Sequence, residues 1–325
     1  MNAIVKTKKL LMRAIVYDDY GDAGVLRRTH IPMRQPESDE IVIEVRASSV
    51  NPIDYRLRKG ELKGVLLGGF PRVPGYDVAG VVVRTDEAKT FQVGDRVMAF
   101  MDSARGGACA DFAVCGAKVA AKLPDSMPFT QAAAIPLAGT TALQSLRDHG
   151  RIEKGQRVLI NGASGGVGSF AIKIAKSYGC HVDAVASGDN KEFCLSLGAD
   201  HFYDYEQTDF TKSDERWDLI FDAAGVSGYW DSRSVLLEGG RYVTTEPDIT
   251  GMLMTILTLP LSKSGRVMLA KPCGDDLRTL IDLYEAGKLV VMIDSIYDML
   301  DVASAHRRIE AGVDHGKVVL VNNPE

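Results

Sequence analysis

A glycine-rich turn between an apolar strand and a helix gives this chain its clearest indication of fold. Residues 158–168 read VLINGASGGVG, and the helical pattern begins at once after them. Glycine permits a tight turn and close approach of the backbone to a ligand. The start of the helix offers N–H groups and a partial positive charge. The turn therefore predicts a site for the pyrophosphate of a dinucleotide, in which Gly168 lets the helix pack close to the sheet and Ser164 offers a hydroxyl donor.

The pattern around this turn predicts two kinds of sheet. After about residue 130, apolar strands alternate with amphipathic helices, which is typical of a parallel sheet with helices on both faces. Before that point, several short strands are separated by glycine and aspartate turns, which predicts a partly closed β-barrel. The predicted strands of the parallel sheet are 157–161, 181–186, 201–205, 218–223 and 241–245, and helices are predicted over 167–178, 190–197 and 229–237.

Composition excludes several classes of protein. The chain has 325 residues, 46% of them hydrophobic, which is enough for two domains, and its net charge of −5 includes no basic block that indicates nucleic acid. Its five cysteines form no Cys-x-x-Cys pair, so we expect free thiols in a reducing compartment. The apolar stretch 251–261 is short and interrupted by Pro260. We therefore expect a cytoplasmic protein that does not span a membrane.

The end of the second predicted strand indicates which dinucleotide is bound. NAD enzymes usually carry an acidic residue there, about 20 residues beyond the glycines, to accept hydrogen bonds from the ribose 2′-hydroxyl. This chain has Ser187 at that position and Lys191 one turn later. A hydroxyl and an ammonium group suit a 2′-phosphate, and Asp189 can point to solvent as a helix cap. The sequence favours NADPH over NADH.

Six segments together resemble the medium-chain dehydrogenase/reductase superfamily, in its zinc-free quinone oxidoreductase (zeta-crystallin-like) branch. The resemblance covers nearly all of the chain after residue 12. It implies an α/β fold in which a GroES-like, partly open β-barrel catalytic domain (1–130 and 272–325) accompanies a Rossmann doubly wound parallel-sheet domain (131–271). The active site would lie in the cleft between the two. The segments are 47–54 (ASSVNPID), 74–80 (PGYDVAG), 91–97 (FQVGDRV), 137–142 (LAGTTA), the glycine turn and 316–320 (GKVVL).

The resemblance also implies the roles of single residues. Thr141 matches a threonine beside the nicotinamide, and Asn51 matches an asparagine beside the nicotinamide and the substrate. Segment 244–247 (TTEP) departs from the Phe-Gly of many relatives, so the nicotinamide contacts of that loop are not carried over. The residues expected to bind the coenzyme are Thr141, Ser164, Gly165, Gly166, Val167, Ser187, Lys191 and Tyr205.

We expect no catalytic zinc. Zinc-dependent members of the superfamily place a cysteine and then a His-Glu pair where this chain has Asn51–Asp54 and Gly75–Asp77. Without a metal, an acceptor that is already polarised, such as a quinone or an α,β-unsaturated carbonyl compound, is the favoured substrate. Asn51, Tyr55 and Tyr76 are the candidate donors to the developing oxyanion. Asp54 is expected to be a structural acceptor rather than a general base.

Other functions stay open on the sequence. A zinc-type alcohol dehydrogenase and an enoyl reductase are alternatives within the enzymes, and a non-catalytic NADPH-binding or redox-sensing protein is an alternative outside them. We do not expect nucleic acid as a partner, because no basic stripe is interleaved with aromatic residues. Relatives often form dimers through the edge strand of the Rossmann sheet. We therefore expect a homodimer formed near 241–245 and the segment after it.

Overall fold

The computed structural model describes residues 11–63, 69–85, 90–104, 106–247 and 249–323. The chain divides into two compact units. The first contains the chain up to Ala133, Ile296–Ala311 and the chain from Val318 onward, and the second contains Ala134–Ser295 and Gly312–Lys317. The segment 272–295, which the resemblance assigns to the catalytic domain, thus packs in the unit that holds the glycine turn. The predicted domain boundaries otherwise stay a prediction.

Most regular elements of the first unit are strands, whereas strands and helices alternate in the second. The described strands are β1 (Leu11–Val16), β2 (Arg27–Pro32), β3 (Glu40–Val50), β4 (Asp77–Arg84), β5 (Arg96–Phe100), β6 (Phe112–Gly116), β7 (Ala120–Lys122), β8 (Arg157–Asn161), β9 (His181–Ala186), β10 (His201–Asp204), β11 (Trp217–Asp222), β12 (Leu236–Thr244), β13 (Ser264–Val267), β14 (Ile293–Asp298) and β15 (Lys317–Val321). The described helices are α1 (Pro52–Lys59), α2 (Phe129–Ala134), α3 (Pro136–Gln144), α4 (Gly166–Ser177), α5 (Lys191–Ser196), α6 (Tyr229–Ser232), α7 (Ile249–Leu257), α8 (Gly274–Glu285) and α9 (Val302–Glu310).

The parallel sheet has the strand order of a doubly wound dinucleotide-binding fold. Its order is β10-β9-β8-β11-β12-β13, and every neighbouring pair is parallel. Chain order reverses direction between β8 and β11, and ligands of such sheets bind at the carboxyl ends of the strands at that point. The glycine turn follows β8, so the fold places it at the switch point. The predicted parallel sheet is confirmed.

The other large sheet is antiparallel where its pairings are described. It has the order β14-β15-β3-β4-β5-β7, and β6 also pairs with β3. Strands β1 and β2 form a separate two-stranded sheet. The eleven-residue β3 carries β6, β4 and β15, and its inward-facing side chains Ile41, Ile43 and Val45 are almost fully buried. The strand-rich first part of the chain is thus confirmed.

Three details of the second unit differ from the prediction. The helix predicted over 229–237 ends at Ser232, because Leu236 already pairs with Trp217 and β12 runs beside β11 from there. The alanine-rich stretch 130–149 predicts a helix that Gly139 interrupts, but Gly139 lies inside α3 and does not interrupt it. A methyl group there would lie 3.0 Å from a Leu280 methyl, so the glycine lets α8 pack against α3. The edge strand is β13 rather than 241–245, which pairs on both sides.

A buried arginine–histidine contact in the first unit makes its stability depend on pH. Arg58 of α1 is fully buried, and its Nε lies 3.5 Å from Nδ1 of His306 in α9. Arg58 also pairs with Glu310 and donates to the Gly21 carbonyl. Burial, with Arg58 as a second cause, lowers the pKa of His306 to about 3. His306 is therefore neutral in the folded protein at pH values where the unfolded chain already binds the proton.

We expect this histidine to destabilise the protein in mild acid. The loss begins below about pH 6.5, the ordinary pKa of histidine, and reaches about 2 kcal/mol at pH 5. Unfolding free energy between pH 7 and pH 5 should therefore fall less steeply in His306→Gln, which keeps a polar group beside Arg58. Equal slopes in the two proteins would show that another group is responsible.

Candidate functional site

The glycine turn has the backbone geometry of an anion-binding loop. Gly162 has φ +78°, a left-handed conformation that favours glycine, and its N–H donates to the Val185 carbonyl at 3.0 Å. A methyl group on Gly168 would lie 2.1 Å from the Gly162 carbonyl oxygen. Helix α4 begins at Gly166, and within the described residues no side chain caps its N-terminus. Backbone groups are thus left to meet a phosphate, and the turn fits a pyrophosphate.

The predicted contact residues of the turn are accessible. Ser164, Gly165, Gly166 and Val167 are each half-buried, whereas Gly168 is buried against the turn. A methyl group on Gly165 would touch only the Gly162 carbonyl oxygen, at the ordinary distance of 3.5 Å. The space into which a side chain at Gly165 would extend is therefore largely open.

Lys317 is a residue of this site that the sequence reasoning missed. Gly316 donates its N–H to the Ser164 carbonyl at 3.2 Å and pairs with Gly165 in a parallel bridge. Lys317 is only 4% exposed, and its Cδ lies 2.8 Å from the position of a methyl group on Gly166. The sequence feature that could have indicated Lys317 is a lysine at the start of an otherwise apolar strand (KVVLV). Lys317 brings a cationic side chain to the phosphate turn.

The predicted 2′-phosphate residues lie at the ends of two adjacent strands. Ala186 of β9 is opposite Asp204 of β10, and Tyr205 donates its N–H to the Ala186 carbonyl at 3.2 Å. Ser187 follows directly and accepts a hydrogen bond from Asn190 Nδ2 at 2.9 Å. Lys191 opens α5 with an exposed side chain. Tyr205 is 59% exposed, so its ring can meet a ligand.

Thr141 lies in the middle of α3. It is 6% exposed, and its Oγ1 donates to the Leu137 carbonyl at 2.7 Å. The hydroxyl proton is therefore held by the helix, while the oxygen can still accept a hydrogen bond. Its contact with a nicotinamide stays a prediction.

Asn51 is held in place by buried carboxylates of the first unit. Its Nδ2 donates to Asp77 Oδ2 at 2.8 Å, and Ser49 Oγ donates to the same oxygen at 2.5 Å. Asp54 accepts the Asn51 N–H at 2.8 Å and the Gly75 N–H at 2.9 Å. Asp54 is thus a structural acceptor, as predicted. Asp77, which together with Asp54 alone would hold zinc poorly, thus orients the Asn51 amide, a role that the sequence did not indicate.

The two candidate tyrosines have different surroundings. Tyr76 donates its hydroxyl to the Ala104 carbonyl at 2.6 Å. Burial, followed by the charge of Asp54, raises the pKa of Tyr76, so this hydroxyl keeps its proton at neutral pH. Tyr55 is half-buried, and the Lys59 ammonium lies 5.2 Å from the centre of its ring. Asn51 and Tyr76 therefore lie close to the Asp54 and Asp77 carboxylates. Tyr55 lies in α1, about one helical turn after Asn51.

A second missed residue, Asp222, ties together the strand ends at the switch point. It is fully buried at the end of β11 and accepts hydrogen bonds from three neighbouring elements. The donors are Asn161 Nδ2 (3.0 Å), Gly225 N–H (3.0 Å), Ser227 N–H (2.8 Å), Ser227 Oγ (2.9 Å) and the Tyr242 hydroxyl (2.9 Å). Asn161 immediately precedes the glycine turn. Asp222 therefore fixes the turn relative to β11 and β12.

The described residues contain neither a cluster of metal-ligating side chains nor a helix that could cross a membrane. Among residues 11–63, 69–85, 90–104, 106–247 and 249–323, no three His, Cys, Asp or Glu side chains are grouped so that they could hold a metal ion. Over the same part of the chain, no helix is both long enough and apolar enough to cross a bilayer. Cytoplasmic location stays a prediction.

Comparison with known proteins identifies the family. The profile of the alcohol dehydrogenase GroES-like domain matches residues 37–144, and that of a zinc-binding dehydrogenase domain matches residues 197–320. The chain belongs to the medium-chain dehydrogenase/reductase superfamily, in its zinc-free quinone oxidoreductase branch. It is an oxidoreductase, and the GroES-like and Rossmann fold class is confirmed.

Three similar proteins represent the family. The chloroplast envelope quinone oxidoreductase homologue of Arabidopsis thaliana is 32% identical over an alignment of 323 positions, which covers 95% of this chain and 98% of the relative. The NADPH-dependent alkenal/one oxidoreductase of the same plant's chloroplast is 33% identical over 96% of this chain and 80% of the relative. The solved quinone oxidoreductase of Coxiella burnetii is 30% identical with a TM-score of 0.87, covering 96% and 99% of the two chains.

Proposed function

We propose that this oxidoreductase uses NADPH to transfer a hydride to a quinone or an α,β-unsaturated carbonyl compound, without a metal ion. The observation that carries the proposal is the glycine turn at the switch point, with Ser187, Lys191 and Tyr205 beyond the neighbouring strand ends. The names of relatives support the substrate class. A mycobacterial protein solved in complex with NADPH, 25% identical with a TM-score of 0.80 over 95% of this chain and 99% of its own, supports the coenzyme class.

The residues of the chain supply binding and electrostatic help rather than acid–base chemistry of their own. Bound NADPH would supply the hydride, and the acceptor carbon is already electrophilic. The Asn51 amide, fixed by Asp77, can donate to the oxygen on which negative charge develops. Tyr76 keeps its proton but donates it to the Ala104 carbonyl, so it becomes a second donor only when the substrate oxygen takes the place of that carbonyl. Tyr55 is a third candidate donor. A proton from water completes the reduction.

The proposal is tested by following NADPH oxidation with 1,2-naphthoquinone and with a simple enone as acceptors. Turnover that survives dialysis against a chelator supports the metal-free reaction. A requirement for stoichiometric zinc would contradict it. Tight NADPH binding without turnover on any acceptor would favour the non-catalytic alternative. The expected homodimer is tested separately by the mass of the protein in solution.

Lys191 provides a test of coenzyme choice. Lys191→Ala is expected to raise the NADPH dissociation constant about tenfold, because one charge contact with the 2′-phosphate is lost. The NADH constant should change by less than about twofold, since NADH has no such phosphate. Lys212→Ala, which removes an exposed lysine of the same unit that pairs with Asp209, is the matched control. Equal losses for both coenzymes would contradict the 2′-phosphate assignment.

A further inference from the structure

The structure supplies a carboxylate close to the place where the linear motif lacks one. Ser187 stands where NAD enzymes usually carry an acid. Asp204 ends the adjacent strand β10, opposite Ala186. A methyl group on Gly188, the residue after Ser187, would lie 2.8 Å from Asp204 Oδ2. The Asp204 carboxylate at the end of β10 thus lies against the backbone that follows β9.

The partners of this carboxylate are neutral. Oδ1 accepts the Glu206 N–H at 3.0 Å, and Oδ2 accepts Gln207 Nε2 at 2.7 Å. In the part of the chain that the structure describes, the Asp204 carboxylate takes part in no ion pair with a lysine, arginine or histidine. Its negative charge is therefore not neutralised within the protein. It stands beside the three residues that we propose for the 2′-phosphate, of which only Lys191 carries a positive charge.

We propose that Asp204 selects between the two nicotinamide coenzymes. A carboxylate accepts a hydrogen bond from a ribose hydroxyl, which NADH offers, and repels a 2′-phosphate, which carries about two negative charges at neutral pH. Lys191 acts in the opposite direction. Coenzyme preference is then set by the balance between Asp204, which favours NADH, and Lys191, which favours NADPH. The chain therefore binds NADH as well as NADPH. This inference rests on the proposed dinucleotide site.

The test is the binding of NADPH and NADH to the full chain, followed by dihydronicotinamide fluorescence at fixed low ionic strength, where charge effects are least screened. Asp204→Asn should tighten NADPH binding by about three- to tenfold and weaken NADH binding by about threefold. Asp189→Asn, which removes an exposed acid two residues beyond Ser187, is the matched control. Both dissociation constants should stay within about twofold in that variant.

The possible outcomes separate the two proposals. An unchanged ratio of the NADPH and NADH constants in Asp204→Asn, or an equal change in Asp189→Asn, would overturn the role of Asp204 and leave the dinucleotide site intact. Binding of neither coenzyme to the parent chain would overturn the proposed function itself. Asp204→Asn keeps an acceptor oxygen for the Glu206 N–H, so we expect it to fold. Asp204→Ser replaces it if Asp204→Asn unfolds. The variant that is used must have the same unfolding midpoint as the parent.

Discussion

Replacement of Gly168 by alanine is expected to weaken NADPH binding at least about a hundredfold, equivalent to about 3 kcal/mol. The added methyl group would lie 2.1 Å from the Gly162 carbonyl oxygen and 2.7 Å from Ala163 Cα. Both atoms belong to the backbone of the turn, so no flexible side chain can yield. The turn or the start of α4 must move, and the N–H groups proposed to face the pyrophosphate would move with it.

Gly165→Ala is the matched variant within the same turn. Gly165 has φ −68°, and its methyl group would meet only the Gly162 carbonyl oxygen at 3.5 Å. We therefore expect an unfolding midpoint equal to that of the parent, whereas Gly168→Ala should also lose stability. Gly69→Ala, where nothing lies within 4 Å of the added methyl group, controls for the general effect of the substitution. NADPH binding by Gly168→Ala with parental affinity would contradict the assignment of the turn.

Local sequence patterns predicted the parts of the site that a single segment forms. The strand, turn and helix at 157–178 follow from glycines and an apolar period, and the structure has β8 and α4 there. Asp54 was predicted to be a structural acceptor within its own turn, and it accepts the N–H of Asn51, three residues before it. Contacts that bridge distant segments gave no such signal. Lys317 reaches the turn across about 150 residues of sequence, and Asp204 reaches Gly188 from a neighbouring strand.

Errors in the predicted elements also arise from tertiary contacts that the local sequence does not reveal. The apolar run at 235–237 is compatible with a helix or a strand, and only pairing with Trp217 decides for the strand. Gly139 reads as a helix breaker, but tertiary contact with Leu280 explains why a glycine is needed inside α3. Tertiary packing thus overrides local propensity at these two positions.

Removal of the Asp222 carboxylate is expected to lower the free energy of unfolding of the second unit by about 3–5 kcal/mol. Asp222→Ala would leave the buried Asn161 amide and the Gly225 and Ser227 N–H groups without their acceptor. The Tyr242 hydroxyl would lose the carboxylate and keep the Ser227 carbonyl as an acceptor. Burial, with the charge of Asp222 as the second cause, raises the pKa of Tyr242. Because this region is buried, water cannot easily replace the lost Asp222 carboxylate.

Urea unfolding followed by tryptophan fluorescence measures this loss where it occurs. The two tryptophans of the chain, Trp217 and Trp230, both lie in the second unit, and Trp217 packs in the same buried cluster as Tyr242. Asp222→Asn keeps the shape and one acceptor oxygen but turns an amide toward the donors, so we expect a smaller loss of about 2 kcal/mol. An alanine variant within about 1 kcal/mol of the parent would show that the strand ends hold the turn without Asp222. Asp222 holds Asn161, which is the last residue before Gly162 of the turn. If the carboxylate does fix the turn, Asp222→Ala should therefore weaken NADPH binding more than Asp222→Asn does.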